Sequence, residues 1–284
     1  MLNITIRNLK IFFREKSSVF FSLLGVFVII GLYILFLGDM LQQGISDLPG
    51  GRFLMDSWIM GGLLAVTSIT TTMGAFGTMV EDKSRKITKD FYASPVKRSK
   101  IAGGYILSSY IIGVIMSVIT FILAEIYIVL SGGELLSYMA ILKSLGLILL
   151  TVFSSTSLVL FMVSFFNSNN AFATASTVLG TLIGFLTGIY IPVGSLPEGV
   201  QWAIKLFPPS HGGALFRQIF MKVPLGQSFK GAPIEASAEF NKIMGVIFEY
   251  GDYTMGAVGH ILVLVATGVI FYFLASINLA RKKS

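Results

Sequence analysis

The side chains that most often carry out catalysis are scarce in this sequence. It has no cysteine and only two histidines, His211 and His260. The lack of cysteine excludes thiol nucleophiles, thiolate metal sites and disulfides. The sequence also contains no H-E-x-x-H or G-x-S-x-G pattern and no other recognisable spacing of metal ligands. We therefore expect neither an enzyme nor a metal site, with His211 in a turn and His260 as a hydrogen-bonded packing residue.

Two further kinds of chemistry are disfavoured. The phosphate-binding pattern G-x-x-x-x-G-K-[ST] is absent, so the chain does not hold ATP in that manner. Ion-driven transporters usually carry acidic residues at mid-membrane, where each costs about 2.5–3.5 kcal/mol. Only Glu125 lies near the interior of an apolar segment. Counting ~20 residues from Gly104 places it at the far interface. It is either a snorkelling carboxylate or part of a cavity.

The segment from Glu81 to Lys100 is the most informative part of the sequence. It carries seven basic and three acidic residues between two apolar segments of membrane length. Such an excess of Lys and Arg marks a cytoplasmic loop. Ile87, Phe91, Tyr92 and Val96 add an apolar stripe, which a simple topology anchor does not need. The pattern favours an amphipathic helix that docks a cytoplasmic partner.

Composition places the chain among polytopic membrane proteins. Hydrophobic residues make up 54% of the 284 residues, charged residues make up 12%, and the mean hydropathy is +0.82. Soluble domains carry about a quarter charged residues. The net charge of +7 does not indicate nucleic acid, because 14 of the 21 basic residues fall in segments predicted to share one membrane face. We expect both termini in the cytoplasm and membrane lipid around the chain, in a cell membrane that is compatible with a bacterium.

Uncharged runs predict a single domain, 1–284, of the all-α membrane class. A helix needs about 20 apolar residues to cross a bilayer. The predicted spans are 17–38, 57–80, 101–130, 141–166, 171–191 and 257–280. The polar run Asn167-Ser168-Asn169-Asn170 separates the fourth from the fifth. Residues 1–16 predict an interfacial helix whose apolar face includes Leu2 and Phe13.

The outer loops differ in length and content. Residues 192–256 hold six of the eight prolines, yet Val200–Phe207 and Ala214–Val223 are apolar enough for short helices at the outer leaflet. Backbone at that depth needs protein cover. We expect this region to cap the helix bundle or a partner copy.

Hydroxyl residues are frequent in the second, fourth and fifth predicted spans. Small polar residues let membrane helices approach closely and bond to one another, and some of them could line a partly hydrated path. Aromatic and Met side chains nearby supply adaptable apolar contacts. The residues expected to line a substrate path are Met73, Phe76, Gly77, Phe172, Ser176 and Phe185.

The arrangement resembles the type-2 permease family, the membrane subunits of ATP-binding-cassette transporters. Three local matches carry the resemblance: Glu81 followed by Ser94-Pro95-Val96-Lys97-Arg98, the break from Pro192 to Pro197, and Leu206-Phe207-Pro208-Pro209-Ser210-His211 with Arg217. The loop departs from the family pattern, because Ser84-Arg85-Lys86 stand where a glycine is usual. Phe91-Tyr92 also replace a leucine pair.

The resemblance implies a partner that hydrolyses ATP. A separate nucleotide-binding subunit would bind ATP and Mg, and this chain would bind no cofactor. A second permease copy, or a related permease, would complete a dimer with a cavity between spans two and five. The residues assigned to coupling with the ATPase subunit are Glu81, Asp82, Arg85, Lys89, Phe91, Tyr92, Ser94 and Pro95.

Three functions remain open from the sequence. The leading interpretation is export of a hydrophobic or amphipathic compound, such as a drug, toxin, peptide or lipid-like metabolite. The alternatives are export of a lipid-linked polysaccharide and a membrane sensor or immunity protein that does not transport. A lipid-modifying membrane enzyme fits less well, since no nucleophile or metal constellation is present.

Overall fold

The computed structural model of the chain describes residues 1–38, 40, 44–45, 48–93 and 95–281. A short helix, α1 (Leu2–Arg14), precedes α2 (Lys16–Leu32), which continues as one π-helical turn over Tyr33–Leu37. The other long helices are α3 (Gly51–Ser84), α5 (Arg98–Leu130), α6 (Tyr138–Ser164), α7 (Asn169–Leu186) and α12 (Ala257–Arg281). Between α3 and α5 lies α4 (Ile87–Ala93), a helix of seven residues.

The segment between α7 and α12 contains four short helices and a hairpin. A 3₁₀ turn over Val193–Ser195 leads to α8 (Glu198–Leu206), α9 (Pro208–Phe220), α10 (Lys222–Ser228) and α11 (Ile234–Ile243). Strands β1 (Phe248–Tyr250) and β2 (Tyr253–Met255) pair antiparallel, with Phe248 opposite Met255. Helices α8 and α9 lie near the two apolar segments predicted from the sequence. The hairpin is a departure from the all-α expectation.

Five described helices are long and apolar enough to cross a membrane: Lys16–Leu37, Gly51–Ser84, Arg98–Leu130, Tyr138–Ser164 and Ala257–Leu279. The chain is therefore a multi-pass membrane protein. Helix α7, which corresponds to the predicted fifth span, is not among the five, and it has 18 residues. The polar run before it ends α6 as expected, and the Ser168 hydroxyl caps α7 by accepting from Ala171 N at 3.2 Å.

Helix α3 forms the centre of the bundle. It packs against α2, α5, α6, α7 and α9, and 89% of its most apolar stretch is buried. Small side chains permit this contact: a Cβ built on Gly113 of α5 would lie only 2.8 Å from Thr72 of α3. Ser68 also bonds to Ser155 of α6 at 3.0 Å between hydroxyl oxygens. Hydroxyls thus serve interhelical packing here, as the sequence predicted.

Helices α2 and α12 are far more exposed than α3. Their most apolar stretches are 28% and 22% buried, against 89% for α3. The exposed side chains are apolar, as lipid contact requires, and include Phe21 on α2 and Phe273 on α12. The bundle therefore has a dry protein core around α3 and an apolar outer surface made by the peripheral helices.

Contacts place several chain segments at the same end of the bundle. The Arg7 side chain of α1 meets Asp82 at the end of α3, and Thr5 bonds to Gly104 O at the start of α5. Lys83 Nζ donates to Phe166 O in the α6–α7 turn. Asn278 near the end of α12 donates to the Ser164 hydroxyl. We call this end the basic end, because the loop 81–100 lies there.

Candidate functional site

A groove of about 810 Å³ opens between α2, α3 and α7. Two glycines provide space for the groove. No atom lies within 4 Å of a Cβ built on Gly25 of α2 or Gly180 of α7. Both glycines line the groove, together with apolar side chains such as Phe21 and Leu179. We call this the lateral groove.

Hydroxyl groups supply the polar part of the lateral groove. Thr70, Ser176 and Thr177 each donate to a carbonyl of their own helix, at 3.1, 2.8 and 3.0 Å. A hydroxyl that has used its one proton still has an acceptor lone pair. The groove therefore offers acceptors to a bound molecule in a mostly apolar setting. Glu15, at one end, is its only charged lining residue among those described.

The structure brings together some of the predicted path residues. Met73, Phe172 and Ser176 line the lateral groove. Gly77 lies beside it, since a Cβ built there would be 3.6 Å from Phe172 Cε1. Phe185 is 45% exposed and packs edge-on against Tyr190, a groove residue, with ring centroids 5.2 Å apart.

The prediction for Phe76 needs correction. Its side chain is 0% exposed and belongs to the hydrophobic core around α3. Helix α3 is surrounded on most sides, so most of its large side chains pack inside this chain. Its groove-facing residues are Val66, Thr70, Met73 and Gly74. The sequence did not reveal this rotation, because α3 is apolar on all faces and lacks a helical hydrophobic periodicity.

A polar junction joins α1, α3 and α5 at the basic end. The Arg7 guanidinium donates to both Asp82 carboxylate oxygens, at 2.7 and 2.9 Å, and Tyr105 OH donates to Asp82 Oδ2 at 2.5 Å. Asn8 continues the network to the Ser108 hydroxyl at 3.2 Å. The hydrogen bond to Asp82 raises the pKa of Arg7, so the guanidinium stays charged. We call these five residues the Arg7 junction.

The Arg7 junction also contacts α4. The guanidinium carbon of Arg7 lies 5.3 Å from the centroid of the Phe91 ring, a cation–π geometry. Phe91 is half-buried, whereas Lys89 on the same helix is exposed. A displacement of α4 would therefore change the position of Arg7. Through its bonds to Asp82, Arg7 connects α4 to the end of α3.

The other residues predicted for coupling fall into different environments. Glu81 and Asp82 belong to α3, which continues to Ser84, instead of to the loop. Asp82 is 3% exposed inside the Arg7 junction, so it does not lie at the surface, where a partner subunit could contact it directly. Arg85 pairs with Glu81 at 2.7 Å on the surface. Tyr92 lies in α4, Pro95 is exposed beyond it, and Ser94 lies outside the described residues.

The predicted apolar stripe on the loop is also shorter than expected. Ile87 and Phe91 lie in α4, but the helix ends at Ala93, so Val96 is outside it. Pro95 explains the end, because a proline disfavours helical backbone in the residue before it. Lys86, with φ of 63°, separates α4 from α3. The short, exposed helix is a separate element that packs on α3.

The face of α1 that contacts protein carries both polar and apolar side chains. Thr5, Asn8 and Phe12 are buried, while Leu2 and Phe13 of the predicted apolar face remain exposed. A helix that buries hydroxyl and amide groups in the bundle and exposes apolar groups outside suits a position at the lipid interface.

The far end of the bundle holds two buried polar features, of which the sequence predicted only the hydrogen-bonded packing of His260. Arg217 of α9 is 0% exposed and donates to Gly188 O at 2.9 Å and, more weakly, to Gly245 O at 3.4 Å. Its guanidinium carbon also lies 4.6 Å from the Trp58 ring centroid. Burial lowers the pKa of Arg217 to about 9. That value still leaves the group charged at neutral pH.

The second feature is a pair of histidines between α9 and α12. His211 Nε2 lies 2.9 Å from Lys205 O, so this nitrogen carries the proton. The Nδ1 atoms of His211 and His260 are 2.8 Å apart, and His260 must therefore donate. Burial lowers the pKa of His211 to about 4. His211 thus packs inside the protein as a neutral residue, in place of the predicted turn role.

The comparison with known families fits this architecture. The profile described as "ABC-2 family transporter protein" matches residues 51–277, from the first residue of α3 to near the end of α12. The chain belongs to the ABC-2 transporter family. Members are membrane subunits of ABC transporters and normally work with an ATPase subunit. No curated protein sequence matches the chain.

Proposed function

We propose that this chain is the membrane-spanning subunit of an ATP-driven exporter of hydrophobic or amphipathic compounds. Two copies, or two related permeases, would assemble with separate nucleotide-binding subunits that bind ATP and Mg. Membership of the ABC-2 family supports the transporter assignment. The lateral groove supports the class of compound.

The lining of the lateral groove is the observation that carries this proposal. Apart from Glu15 at one end, its described lining residues are apolar or carry hydroxyl groups. An apolar ligand gains about 25 cal/mol per Å² of buried apolar area. The free lone pairs of Thr70 and Ser176 would add hydrogen bonds to a ligand N–H or O–H. This combination suits an amphipathic molecule and offers no site for strong ionic binding away from Glu15.

In the proposed topology the chain crosses the membrane six times and both termini lie in the cytoplasm. Helix α7 starts next to the Phe166 turn at the basic end and leads to Gly188, which Arg217 binds at the far end. Its 18 residues reach about 27 Å at 1.5 Å per residue, close to the thickness of the hydrocarbon core. With the five longer spans, α7 would bring the chain across a bacterial cell membrane six times.

Helix α4 is the proposed contact with the ATPase subunit. It lies at the basic end, which the excess of Lys and Arg assigns to the cytoplasm. Its exposed residues Lys89 and Asp90 face outward, while Phe91 rests on Arg7. In this proposal, movement of the ATPase subunit displaces α4 and reaches α3, which lines the lateral groove, through the Arg7 junction.

Filling the lateral groove tests the proposal. In Gly180→Leu, the new side chain enters space with no atom within 4 Å of its Cβ. Leucine also has a higher helix propensity than glycine, so the helix itself is not weakened. We expect ATP-driven transport of hydrophobic dyes into inverted vesicles to fall at least fivefold, with unchanged protein level and basal ATPase activity.

Gly146→Leu is the matched control. Gly146 is an exposed glycine of α6, also without an atom within 4 Å of its Cβ, and it does not line the lateral groove. This variant should transport like the wild type. Equal transport by both variants would remove the groove from the path. Binding of dyes without ATP-dependent accumulation would favour the non-transporting sensor or immunity protein.

A further inference from the structure

A second groove, of about 420 Å³, lies on the outside of the bundle between α5 and α6. Its lining is apolar except for Glu125, and includes Phe121, Ile126, Leu135 and Ile141. Ile126 is 50% exposed and Leu135 is 63% exposed, so the groove is open on the outer surface of the helix bundle. We call it the Glu125 groove. It shares no lining residue with the lateral groove.

Glu125 is buried, and among the described residues only one of its two carboxylate oxygens has a hydrogen-bond partner. Its side chain is 6% exposed, and Oε2 accepts a hydrogen bond from Leu136 N at 3.0 Å. Oε1 is buried and has no hydrogen-bond partner among the described residues. No described salt bridge involves Glu125, and no Lys or Arg lines the groove. The nearby Glu134 is directed elsewhere, where its Oε1 accepts from Gln227 at 2.9 Å.

A bound hydrogen-bond donor would stabilise a buried acceptor that has no partner. A buried polar atom without a partner destabilises the folded protein, and more so when it is charged. The packing of the loop after α5 requires only Oε2, so a neutral residue could have served the fold. The free oxygen therefore marks a place where a donor, and in particular a cation, would be stabilised. Apolar walls around it require that the rest of the ligand be hydrocarbon.

The position on α5 fixes how such a ligand would lie. Helix α5 begins at the basic end, and Glu125 is near its opposite end. Exposed Ile115, Ile119, Ile122 and Ile126 follow at spacings of three and four, so they form one stripe along the same helix. A head group at Glu125 would sit at the outer interface, with its alkyl chain running along this stripe toward the middle of the bilayer.

We propose that the Glu125 groove binds a cationic amphiphile, an alkyl chain with an ammonium head, taken from the outer leaflet. The ammonium donates to Glu125 Oε1, and the chain covers the isoleucine stripe. This site is independent of the lateral groove and of the proposed export function. It assigns a binding role to the one acidic residue that the sequence places near the interior of an apolar segment.

The test compares two ligands that share a chain and differ in charge. Dodecylammonium and dodecanol are titrated into the purified full-length protein in nanodiscs of zwitterionic lipid at pH 7. We expect the wild type to bind dodecylammonium at least tenfold more tightly than dodecanol, as a charged hydrogen bond predicts. Glu125→Gln should lose this preference and keep its affinity for dodecanol. Glu134→Gln, which removes a neighbouring exposed carboxylate, should keep the preference.

Several outcomes would overturn the proposal. They are equal affinities for the two ligands in the wild type, a preference that survives Glu125→Gln, and a preference that Glu134→Gln also abolishes. If Glu125→Gln does not fold, Ile126→Trp replaces an exposed lining residue and should weaken binding of both ligands at least fivefold. Undiminished binding to that variant would place the ligand elsewhere.

Discussion

The two ends of this bundle each use an arginine to hold helices together, but in opposite ways. Arg7 at the basic end has a carboxylate partner, Asp82, and its side chain is 32% exposed. Arg217 at the far end is 0% exposed, and its described partners are two backbone carbonyls and the Trp58 ring. Water and a counter-ion stabilise the first charge. Only fixed dipoles and a ring stabilise the second.

This difference separates a rigid end from an adjustable one. Two glycines of α3 allow the backbone to pack closely against Arg217. A Cβ on Gly61 would lie 3.0 Å from Arg217 N, and a Cβ on Gly62 would lie 2.8 Å from Arg217 Nη2. A side chain added at either glycine would clash with Arg217, so this close approach of α9 to α3 depends on both glycines. In the Arg7 junction, the Arg7 side chain is partly exposed and rests on Phe91 of the short helix α4. Water can reach its guanidinium and replace hydrogen bonds that it loses when it moves.

The largest effect is expected at the rigid end. Arg217→Ala leaves a cavity beneath Trp58 and removes the donors of Gly188 O and Gly245 O. We expect a loss of about 3–5 kcal/mol in stability, measured as a lower midpoint of thermal unfolding and lower protein level. Arg217→Lys keeps a charge but loses the planar fork and the stacking on Trp58, so it should also destabilise strongly.

Lys222→Ala is the control for this prediction, since Lys222 is an exposed cation just beyond the end of α9. It should unfold like the wild type. If Arg217→Lys were as stable as the wild type, a positive charge alone would explain the site. The contrast between a geometrically locked arginine and an ion-paired one would then be lost.

The next effect concerns pH at the same end. Burial holds the pKa of His211 at about 4, below the usual 6.5, so the folded protein binds fewer protons than the unfolded chain between these values. Stability is therefore complete above pH 6.5 and falls as the pH drops toward 4. At pH 5 the expected loss from this group is about 2 kcal/mol. Unfolding midpoints at pH 7.5 and 5 measure it.

His211→Phe removes one titrating group, keeps a planar ring beside Phe248 and should reduce this pH dependence. The Arg217 site should give no such dependence in this range. A wild type whose stability is equal at pH 7.5 and 5 would contradict the buried neutral histidine. It would also make the far end more like the basic end, where Arg7 is partly exposed to solvent.

The sequence predicted regular elements much better than it predicted buried polar contacts. Spans such as 101–130 and 257–280 lie close to α5 and α12, because uncharged runs of membrane length are local signals. The partners Arg7 and Asp82 are 75 positions apart, and His211 and His260 are 49 apart. Nothing local encodes such pairs. The rotation of α3 was equally hidden, since it buries nearly all its faces and its pattern therefore marks no single inward side.

The smallest effect on stability is expected at the Arg7 junction, where function should change more than folding. Arg7→Gln removes both bonds to Asp82 and the contact with Phe91, but the Arg7 side chain is itself partly exposed and Tyr105 still donates to Asp82. We expect a stability loss of about 1–2 kcal/mol, well below that of Arg217→Ala. Phe91→Ala, which removes only the ring on which Arg7 rests, should cost less than about 1 kcal/mol, because Phe91 is half-buried.

In the proposed coupling each variant interrupts the path from α4 to α3, so both should lower ATP-driven transport severalfold while the ATPase subunit stays bound. The proposal puts Arg7 and Phe91 on one path, so the double variant should transport about as well as the single variant with the lower activity. Lys10→Gln, an exposed cation on α1, is the control and should leave transport unchanged. Independent, multiplicative losses in the double variant would show that the two residues act separately. The adjustable end would then need another connection between α4 and the helices of the lateral groove.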